Sequence, residues 1–425
     1  MIIEFSVENF RSIKNEARLS LAAGHGKEHR GRNVMIPELT QGVRSVPLLR
    51  SAAMYGANAA GKSNLIRALY TMQQIVRQSG RGIGELPVTP FRFSPESIFQ
   101  PTTFEVVGVV NRMRFQYGFS ATADVVTEEW LYAWPLGRIQ FWFERATDPE
   151  SGEAKCKFGN KLAGDKEVWR RATRPNALLL STAITLNSEQ LRPIFDWFNE
   201  NLHVSGSGSW GREFSAQWCD GDRKDEVLQF LRAADVAIDD MRIVRKEFTP
   251  DMLPSDMPAD LKNRVKEEYS GTELVEIRLS HKTKHGQPVE LLLNEESDGT
   301  QKIFELAAPW IDTFDNGHVI VLDELHEHLH PSLVRFLVNR FHDPTANASG
   351  AQLIFSTHDT SILNQDVFRR DQIWFCERNS RQETLLFPLT DFRPRRGVEN
   401  LERSYLGGRY GAVPVLRSPE ATPVD

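Results

Sequence analysis

The octapeptide GANAAGKS, residues 56 to 63, joins an apolar segment to a segment with helical periodicity. It fits the pattern G-x-x-x-x-G-K-S/T, whose glycines let backbone N–H groups close around a phosphate at a helix N-terminus. A strand from Leu48 to Tyr55, a phosphate-binding loop (P-loop) and a helix are therefore predicted in that order. A chance match on a glycine turn is the alternative, and the flanking segments disfavour it. The apolar residues that recur at helical spacing are Leu65, Ile66, Leu69, Met72, Ile75 and Val76.

The loop residues have predicted roles in binding a nucleoside triphosphate with its Mg²⁺. Gly56, Asn58 and Gly61 are predicted to bind the phosphates. Lys62 is expected to neutralise the β- and γ-phosphate oxygens, and the Ser63 hydroxyl to ligate Mg²⁺. The expected cofactors are therefore ATP and Mg²⁺.

A second apolar strand, Val319 to Leu322, ends in the neighbouring carboxylates of Asp323 and Glu324. We expect Asp323 to hold Mg²⁺ through water and Glu324 to act as the general base toward the attacking water. The alternative is that the two acids only cap the next helix, because acidic residues are common at helix N-termini. An upstream GKS sequence makes that interpretation the weaker one.

Two further segments precede and follow the acidic strand: ESDGTQK at residues 296 to 302 and FSTHD at residues 355 to 359. In this order they resemble the signature loop and the switch histidine of ABC-type ATPases. The resemblance implies that Ser297 and Gly299 of one subunit contact the γ-phosphate held by another subunit's P-loop, and that His358 senses this phosphate. Considered singly, the first segment could be an ordinary helix cap and His358 a histidine satisfied by its neighbours.

The histidines after the acidic pair suggest zinc, since His326, His328 and His330 lie close together with two glutamates. Their spacing matches neither H-E-x-x-H nor a hairpin ligand pattern, so we predict no zinc site. The resemblance to ABC-type ATPases makes this segment the D-loop, with Pro331 opening the next helix.

Composition and charge narrow the class of protein. The chain has 425 residues, of which 40% are hydrophobic and 25% charged, as in folded globular proteins. Its net charge of −6 argues against a non-specific DNA coat but leaves room for a local basic groove. The three cysteines are scattered, and no apolar run is long enough to cross a membrane. We therefore expect a cytoplasmic protein without a membrane partner.

The pattern along the chain predicts an α/β fold in three segments. Residues 1–150 carry the P-loop and short strands of an antiparallel sheet, and residues 271–425 carry the signature, the acidic strand and the switch histidine. Residues 151–270, rich in helical periodicity, are predicted to be an insertion that recognises a partner or acts as a sensor. The predicted fold class is an ABC-type P-loop NTPase head, with a parallel sheet core, an antiparallel β-subdomain and a mainly helical insertion.

The N-terminal FSVENFRS, the motifs above and the terminal YLGGRYGAVP together resemble one family. It comprises prokaryotic ABC-type, RecF- and SMC-like ATPases (RloA-like, "AAA family"). Relatives include the ATPase subunits of anti-phage systems such as AriA and PtuA and the ATPase domain of overcoming-lysogenization-defect nucleases. A clear Q-loop glutamine is missing, and Gln100 beside Pro101 is the nearest candidate. The chain after His358 is too short for a toprim nuclease, so we expect any nuclease to be a partner chain.

Two functions from different classes follow. The first is an ATPase that forms an ATP-bridged homodimer or higher oligomer and acts as a sensor or scaffold, controlling an effector such as a nuclease in anti-phage defence. The second is a RecF- or SMC-like ATPase that binds DNA in repair or chromosome maintenance. A transporter subunit is a third, less supported class. The basic residues that could contact DNA, or simply form a solvated face, are Arg393, Arg395, Arg396, Arg403 and Arg409, and Lys166, Arg170, Arg171 and Arg174.

Overall fold

The computed structural model describes residues 1–40, 42–82, 84–148, 150–205, 211–253, 257–269, 271 and 273–414. The chain divides into two units. The first comprises residues 1–207, 313–327 and 334–425, and the second comprises residues 208–312 and 328–333. Both large β-sheets belong to the first unit, and a small sheet with several helices belongs to the second.

Strands dominate the first third of the chain and alternate with helices afterwards. The strands are β1 (Ile2–Glu8), β2 (Ala17–Ser20), β3 (Val34–Met35), β4 (Leu48–Leu49), β5 (Ser51–Tyr55), β6 (Thr102–Val110), β7 (Met113–Ala121), β8 (Val126–Trp134), β9 (Gln140–Thr147), β10 (Ala154–Phe158), β11 (Leu202–Val204), β12 (Asp240–Glu247), β13 (Glu273–Lys282), β14 (Pro288–Leu292), β15 (Val319–Leu322), β16 (Gln352–Ser356), β17 (Ile373–Arg378) and β18 (Thr384–Pro388). The helices are α1 (Arg30–Asn33), α2 (Lys62–Gln78), α3 (Lys166–Ala172), α4 (Leu179–Thr185), α5 (Arg192–Asp196), α6 (Arg212–Asp220), α7 (Lys224–Ala233), α8 (Ala259–Tyr269), α9 (Asp298–Asn316), α10 (Pro331–His342) and α11 (Leu401–Leu406).

The antiparallel sheet has the strand order β10-β9-β8-β7-β6-β1-β2 in the described residues. Alternate side chains of its strands face the core, as the period of two requires, and Phe104, Tyr117 and Phe119 are fully buried. The short antiparallel strands predicted within residues 1–150 are confirmed, among them β1, β6 and β7.

The second sheet has the order β11-β15-β16-β5-β17-β18, and all its neighbours are parallel except β17 and β18. Its central strands are almost completely buried, as expected when both faces of a sheet are covered. The apolar strand predicted from Val319 to Leu322 is confirmed as β15. With the antiparallel sheet beside it, this sheet confirms the predicted α/β fold class.

Parallel pairing brings the carboxyl ends of β15, β16, β5 and β17 to one edge of the sheet, which we call the carboxyl edge. The P-loop follows β5, the acidic pair follows β15, and His358 lies two residues beyond β16. Segments that are far apart in sequence therefore meet at this edge.

Helix α2 contacts strands of both large sheets and belongs to the core that they share. Its apolar stripe, including Leu65, Leu69 and Met72, is at most 3% exposed. Gln73 is buried on the same helix, and its Nε2 donates to the carbonyls of Phe198 (2.8 Å) and Leu202 (2.5 Å) at the start of β11. These contacts fix α2, and with it the helix N-terminus that closes the P-loop.

Residues 151–270 are mainly helical, as predicted, but the segment is shared between the two units. Helices α3 to α5 contribute Trp169, Leu179 and Ile194 to the core of the first unit. In the second unit, α6 packs on β12 and β13, and β13 pairs with β14 as an antiparallel hairpin. The functional division at residues 150 and 270 stays a prediction.

His342 on α10 is fully buried beside the first residue of β5. Its Nε2 lies 2.7 Å from Ser51 Oγ and 3.2 Å from the Gln372 amide nitrogen, which can only donate. The ring is therefore neutral and accepts at Nε2. Burial lowers its pKa from 6.5 to about 3.

Because the unfolded chain takes up a proton at His342 near pH 6.5 and the folded chain does not, we predict a loss of stability as pH falls below about 6.5. This histidine contributes a slope of up to about 1.4 kcal/mol per pH unit in the free energy of unfolding. His342→Gln is expected to flatten the slope in urea unfolding between about pH 6.5 and pH 4. The exposed His285→Gln serves as the control, and equal slopes in His342→Gln and the unmodified chain would contradict the prediction.

Candidate functional site

The P-loop has the predicted strand, loop and helix on either side. Gly61 precedes α2 with φ of 109°, and a Cβ there would lie 2.1 Å from Thr384 Oγ1. A Cβ at Gly56 would lie 2.3 Å from the Cys376 carbonyl oxygen. Neighbouring strands thus approach the loop so closely that only glycine fits at these two positions.

Lys62 is 4% exposed and lies across the loop. Its Nζ donates to the carbonyls of Gly56 (2.9 Å) and Ala57 (3.3 Å) and lies 3.0 Å from His358 Nε2. Burial lowers the pKa of Lys62, while the nearby Glu324 and Asp323 oppose that shift. The carbonyls of Gly56 and Ala57 and the His358 ring thus provide an acceptor for each of the three N–H groups of the ammonium.

A cavity of about 510 Å³ opens over the loop, within the range of small-ligand sites. A larger cavity of about 630 Å³ in the same unit contains none of the predicted site residues. The smaller one is therefore the candidate site. Besides residues 58 to 64, it is lined by Arg11, Ser12, Phe93, Glu324, His358 and Arg378.

Ser356, at the end of β16, joins the two acidic residues. Its Oγ donates to Asp323 Oδ1 (2.5 Å) and accepts from the Glu324 backbone N–H (2.8 Å). Glu324 has a positive φ of 51°, so its backbone turns sharply where the strand ends. No sequence motif points to Ser356, although its place two residues before His358 on a buried strand is a usable signal.

Ser63 and Asp323 offer oxygen ligands that suit Mg²⁺. The Ser63 hydroxyl lines the cavity and makes no hydrogen bond with any described residue. In the described chain, no group of three or more His, Cys, Asp or Glu side chains is placed to hold a metal ion. Asp323 does not line the cavity, so it would hold the ion through water, while the Ser63 hydroxyl would be a direct ligand. Such a set of oxygen donors fits Mg²⁺, which keeps several waters and takes its other ligands from phosphates.

Glu324 lies between two histidines. Its Oε1 is 3.3 Å from His358 Nε2, and its Oε2 is 3.4 Å from His326 Nδ1. Burial and the Lys62 ammonium lower the pKa of His358, and Glu324 opposes that shift. Neutral His358 accepts from Lys62, whereas protonated His358 would donate to Glu324. The structure thus brings Lys62, Glu324 and His358 together. His326, a residue of the predicted D-loop, also contacts Glu324.

The signature residues Ser297 and Gly299 belong to the second unit. Ser297 Oγ accepts from the Thr300 backbone N–H (3.2 Å), as a helix-capping serine does. A Cβ at Gly299 would lie 3.0 Å from the His328 carbonyl oxygen, so the turn is tightly packed. Just before it, Glu296 accepts from His281 Nε2 (2.6 Å).

Gln100 does not line the cavity, and its backbone carbonyl accepts from Asn9 Nδ2 (2.8 Å).

Several of the basic residues that could contact DNA have partners within the chain. Arg409 pairs with Glu399 (2.8 Å), and Arg170 pairs with Glu167 (2.9 Å). Arg174 donates to the Ser79 carbonyl (3.0 Å). These contacts favour a structural or solvated role for the three arginines.

The family described as "AAA domain, putative AbiEii toxin, Type IV TA system" matches residues 51–364, more than half of the chain. The chain belongs to this family. The match includes the P-loop, the signature segment, the acidic pair and His358. Together with the sheet topology, it confirms the resemblance to ABC-type ATPases at the level of family and fold.

Two solved structures are similar to this chain. The SMC head domain from Thermotoga maritima is 12% identical, with a TM-score of 0.41, over 91% of this chain and 98% of that one. The recombination mediator protein RecF with ATP is 13% identical, with a TM-score of 0.37, over 91% and 99%. No curated protein matches this chain.

Among the helices that the structure describes, none combines the length and the apolar character needed to cross a membrane.

We predict that Ser356→Ala raises the Mg²⁺ concentration needed for half-maximal nucleotide binding, on the order of tenfold or more. The Asp323 carboxylate would lose its buried hydrogen-bond donor, and the Glu324 N–H its acceptor. A Mg²⁺ titration with a fluorescent ATP analogue measures the effect. The control is Ser120→Ala, which removes a buried hydroxyl of the antiparallel sheet. An unchanged Mg²⁺ dependence in Ser356→Ala would show that Ser356 does not organise the site.

Proposed function

We propose that this protein binds Mg-ATP at the carboxyl edge of the parallel sheet and hydrolyses it. One observation carries the proposal. Lys62 Nζ, His358 Nε2 and Glu324 Oε1 follow one another at distances of 3.0 and 3.3 Å in a single cavity that the P-loop closes. The P-loop with Lys62 can bind the phosphates, and Glu324 can act as the general base toward water, as phosphoryl transfer to water requires. His358 lies between Lys62 and Glu324 and can hydrogen-bond to either.

Each residue has a distinct role in the proposed reaction. The P-loop N–H groups and Lys62 bind the phosphates, and Ser63 and Asp323 would hold Mg²⁺, which neutralises charge on the phosphates when bound. Glu324 is placed to accept a proton from the attacking water. Ser356 fixes the backbone of Glu324 and the carboxylate of Asp323 in one arrangement.

The contacts of Lys62 link nucleotide binding to His358. Because all three N–H groups already have acceptors, a bound triphosphate must replace at least one of them. Replacing His358 frees its Nε2, which, once it carries a proton, can donate to the γ-phosphate or to Glu324. His358 thereby senses whether the γ-phosphate is present, through contacts that differ between the two states.

The wider proposal is an ATP-bridged homodimer or higher oligomer in which Ser297 and Gly299 of one copy complete the site of another. Its role would be that of a sensor or scaffold controlling an effector protein, such as a nuclease, in anti-phage defence. Two features support it. Ser297 stands at the N-terminus of the long helix α9, where backbone N–H groups favour an anion. The family description names a putative toxin and a toxin–antitoxin system.

Two variants separate binding from hydrolysis. Lys62→Ala is expected to abolish ATP binding, because it removes the cation that faces the phosphates. Glu324→Gln is expected to retain binding and to lower turnover on the order of 10²- to 10⁴-fold, through loss of the general base. Calorimetry and phosphate release measure the two quantities, with the exposed Glu189→Gln as the control. Normal turnover in Glu324→Gln would refute the role given to this carboxylate.

The oligomer is tested in the hydrolysis-deficient background. With ATP and Mg²⁺, Glu324→Gln is expected to dimerise in sedimentation velocity experiments. Adding Gly299→Asp should leave it monomeric while it still binds ATP, because a carboxylate would face the phosphate of the other copy. A monomer at saturating ATP in Glu324→Gln alone would refute the ATP-bridged dimer. Proteins from the native host that copurify with the dimer then identify the effector, whereas copurifying DNA alone would favour repair or chromosome maintenance.

A further inference from the structure

An exposed aromatic ring lies at the rim of the nucleotide cavity. Phe93 lines the cavity and is 62% exposed, whereas Phe91, two residues earlier, is 1% exposed. The two rings are 5.7 Å apart, so Phe91 anchors the backbone from which Phe93 projects. Leaving an aromatic ring in water has a cost that a ligand stacked on the ring would remove.

The segment that carries Phe93 is tied to the N-terminal turn. The Arg11 backbone N–H donates to the Thr89 carbonyl (2.8 Å), and the Phe91 N–H donates to Asn9 Oδ1 (3.0 Å). The buried Asn9 amide also donates to the Ser97 carbonyl (2.9 Å). Hydrogen bonds on both sides of Phe93 therefore hold its backbone beside the cavity.

Arg378 ends β17, the strand adjacent to β5, and therefore lies at the carboxyl edge. Its guanidinium carbon is 5.6 Å from the centre of the Phe93 ring. Arg378 makes no ion pair with any described residue, and the same is true of Arg11 on the same rim. By contrast, Arg223, which stacks on Trp218, also pairs with Glu226. The cavity rim thus combines cations that lack carboxylate partners with an exposed planar ring.

The phosphates already have binding groups in the P-loop and Lys62, and an aromatic ring contributes little to binding a phosphate. A planar ring beside planar guanidinium suits a flat, π-bonded group attached to an anion. In a nucleoside triphosphate that group is the base.

We propose that Phe93 and Arg378 form the base-binding face of the site, with the nucleobase stacked on Phe93 and flanked by the Arg378 guanidinium. This inference rests on the proposed function, and it assigns base recognition to a loop and a strand outside the P-loop motif.

The test compares ATP with inorganic tripolyphosphate, which has the phosphates but no base. Binding of each with Mg²⁺ is measured by calorimetry for the full chain and its variants. Phe93→Ala is expected to weaken ATP binding on the order of tenfold and to leave tripolyphosphate binding unchanged. Phe93→Trp, which keeps an aromatic ring at this position, should bind ATP about as tightly as the unmodified chain. Phe99→Ala is the matched control, because Phe99 is 83% exposed nearby and does not line the cavity.

Arg378→Ala is expected to weaken ATP binding more than tripolyphosphate binding. An equal loss for both ligands would make Arg378 a phosphate contact and overturn its part of the proposal. Unchanged ATP binding in Phe93→Ala, or an equal loss of both ligands there, would overturn base stacking. Failure of the unmodified chain to bind either ligand would refute the proposed function itself, which is a separate and recognisable result.

Discussion

Parallel pairing of β15, β16, β5 and β17 is the constraint on which the site depends. Lys62, Glu324 and His358 follow three different strands and are far apart in sequence, yet the sheet register places them in a chain of contacts of 3.0 and 3.3 Å. Ser356 makes the alignment specific, since its single hydroxyl contacts both acidic residues of the adjacent strand. A shift of β16 by one residue would turn this hydroxyl to the opposite face of the sheet and leave a buried N–H unsatisfied.

Charge in the cavity is balanced by the chain before any ligand binds. The buried ammonium of Lys62 is stabilised by Glu324 and Asp323, which oppose the effect of burial on its pKa. Triphosphate brings several negative charges next to these carboxylates, so it needs added cations. Mg²⁺ supplies part of that charge, and the guanidinium group of Arg11, which makes no ion pair with any described residue, is placed to supply more. The same electrostatics explain why the metal and the nucleotide should bind together.

The sequence predicted those parts of the site whose chemistry is carried by neighbouring residues. The P-loop, with its strand and helix, and the apolar strand β15 are predictable because motif and periodicity are local. Ser356 and Phe93 were missed because their roles depend on partners brought near by folding. A serine on a buried strand and a phenylalanine in a loop have no distinctive local pattern. The helices α3 to α5 were assigned to the insertion for the same reason, since their packing into the first unit depends on distant contacts.

Ser297 shows that two interpretations of one residue need not exclude each other. Its oxygen accepts from the Thr300 N–H and lies 3.0 Å from Thr300 Oγ1, which can act as donor. A hydroxyl has two acceptor positions and one donor, so both contacts can use the lone pairs and leave the Ser297 proton free. The serine can therefore cap α9 and still donate to a phosphate of another copy. Capping would then hold the hydroxyl in place in advance, which lowers the entropic cost of closing an ATP-bridged dimer.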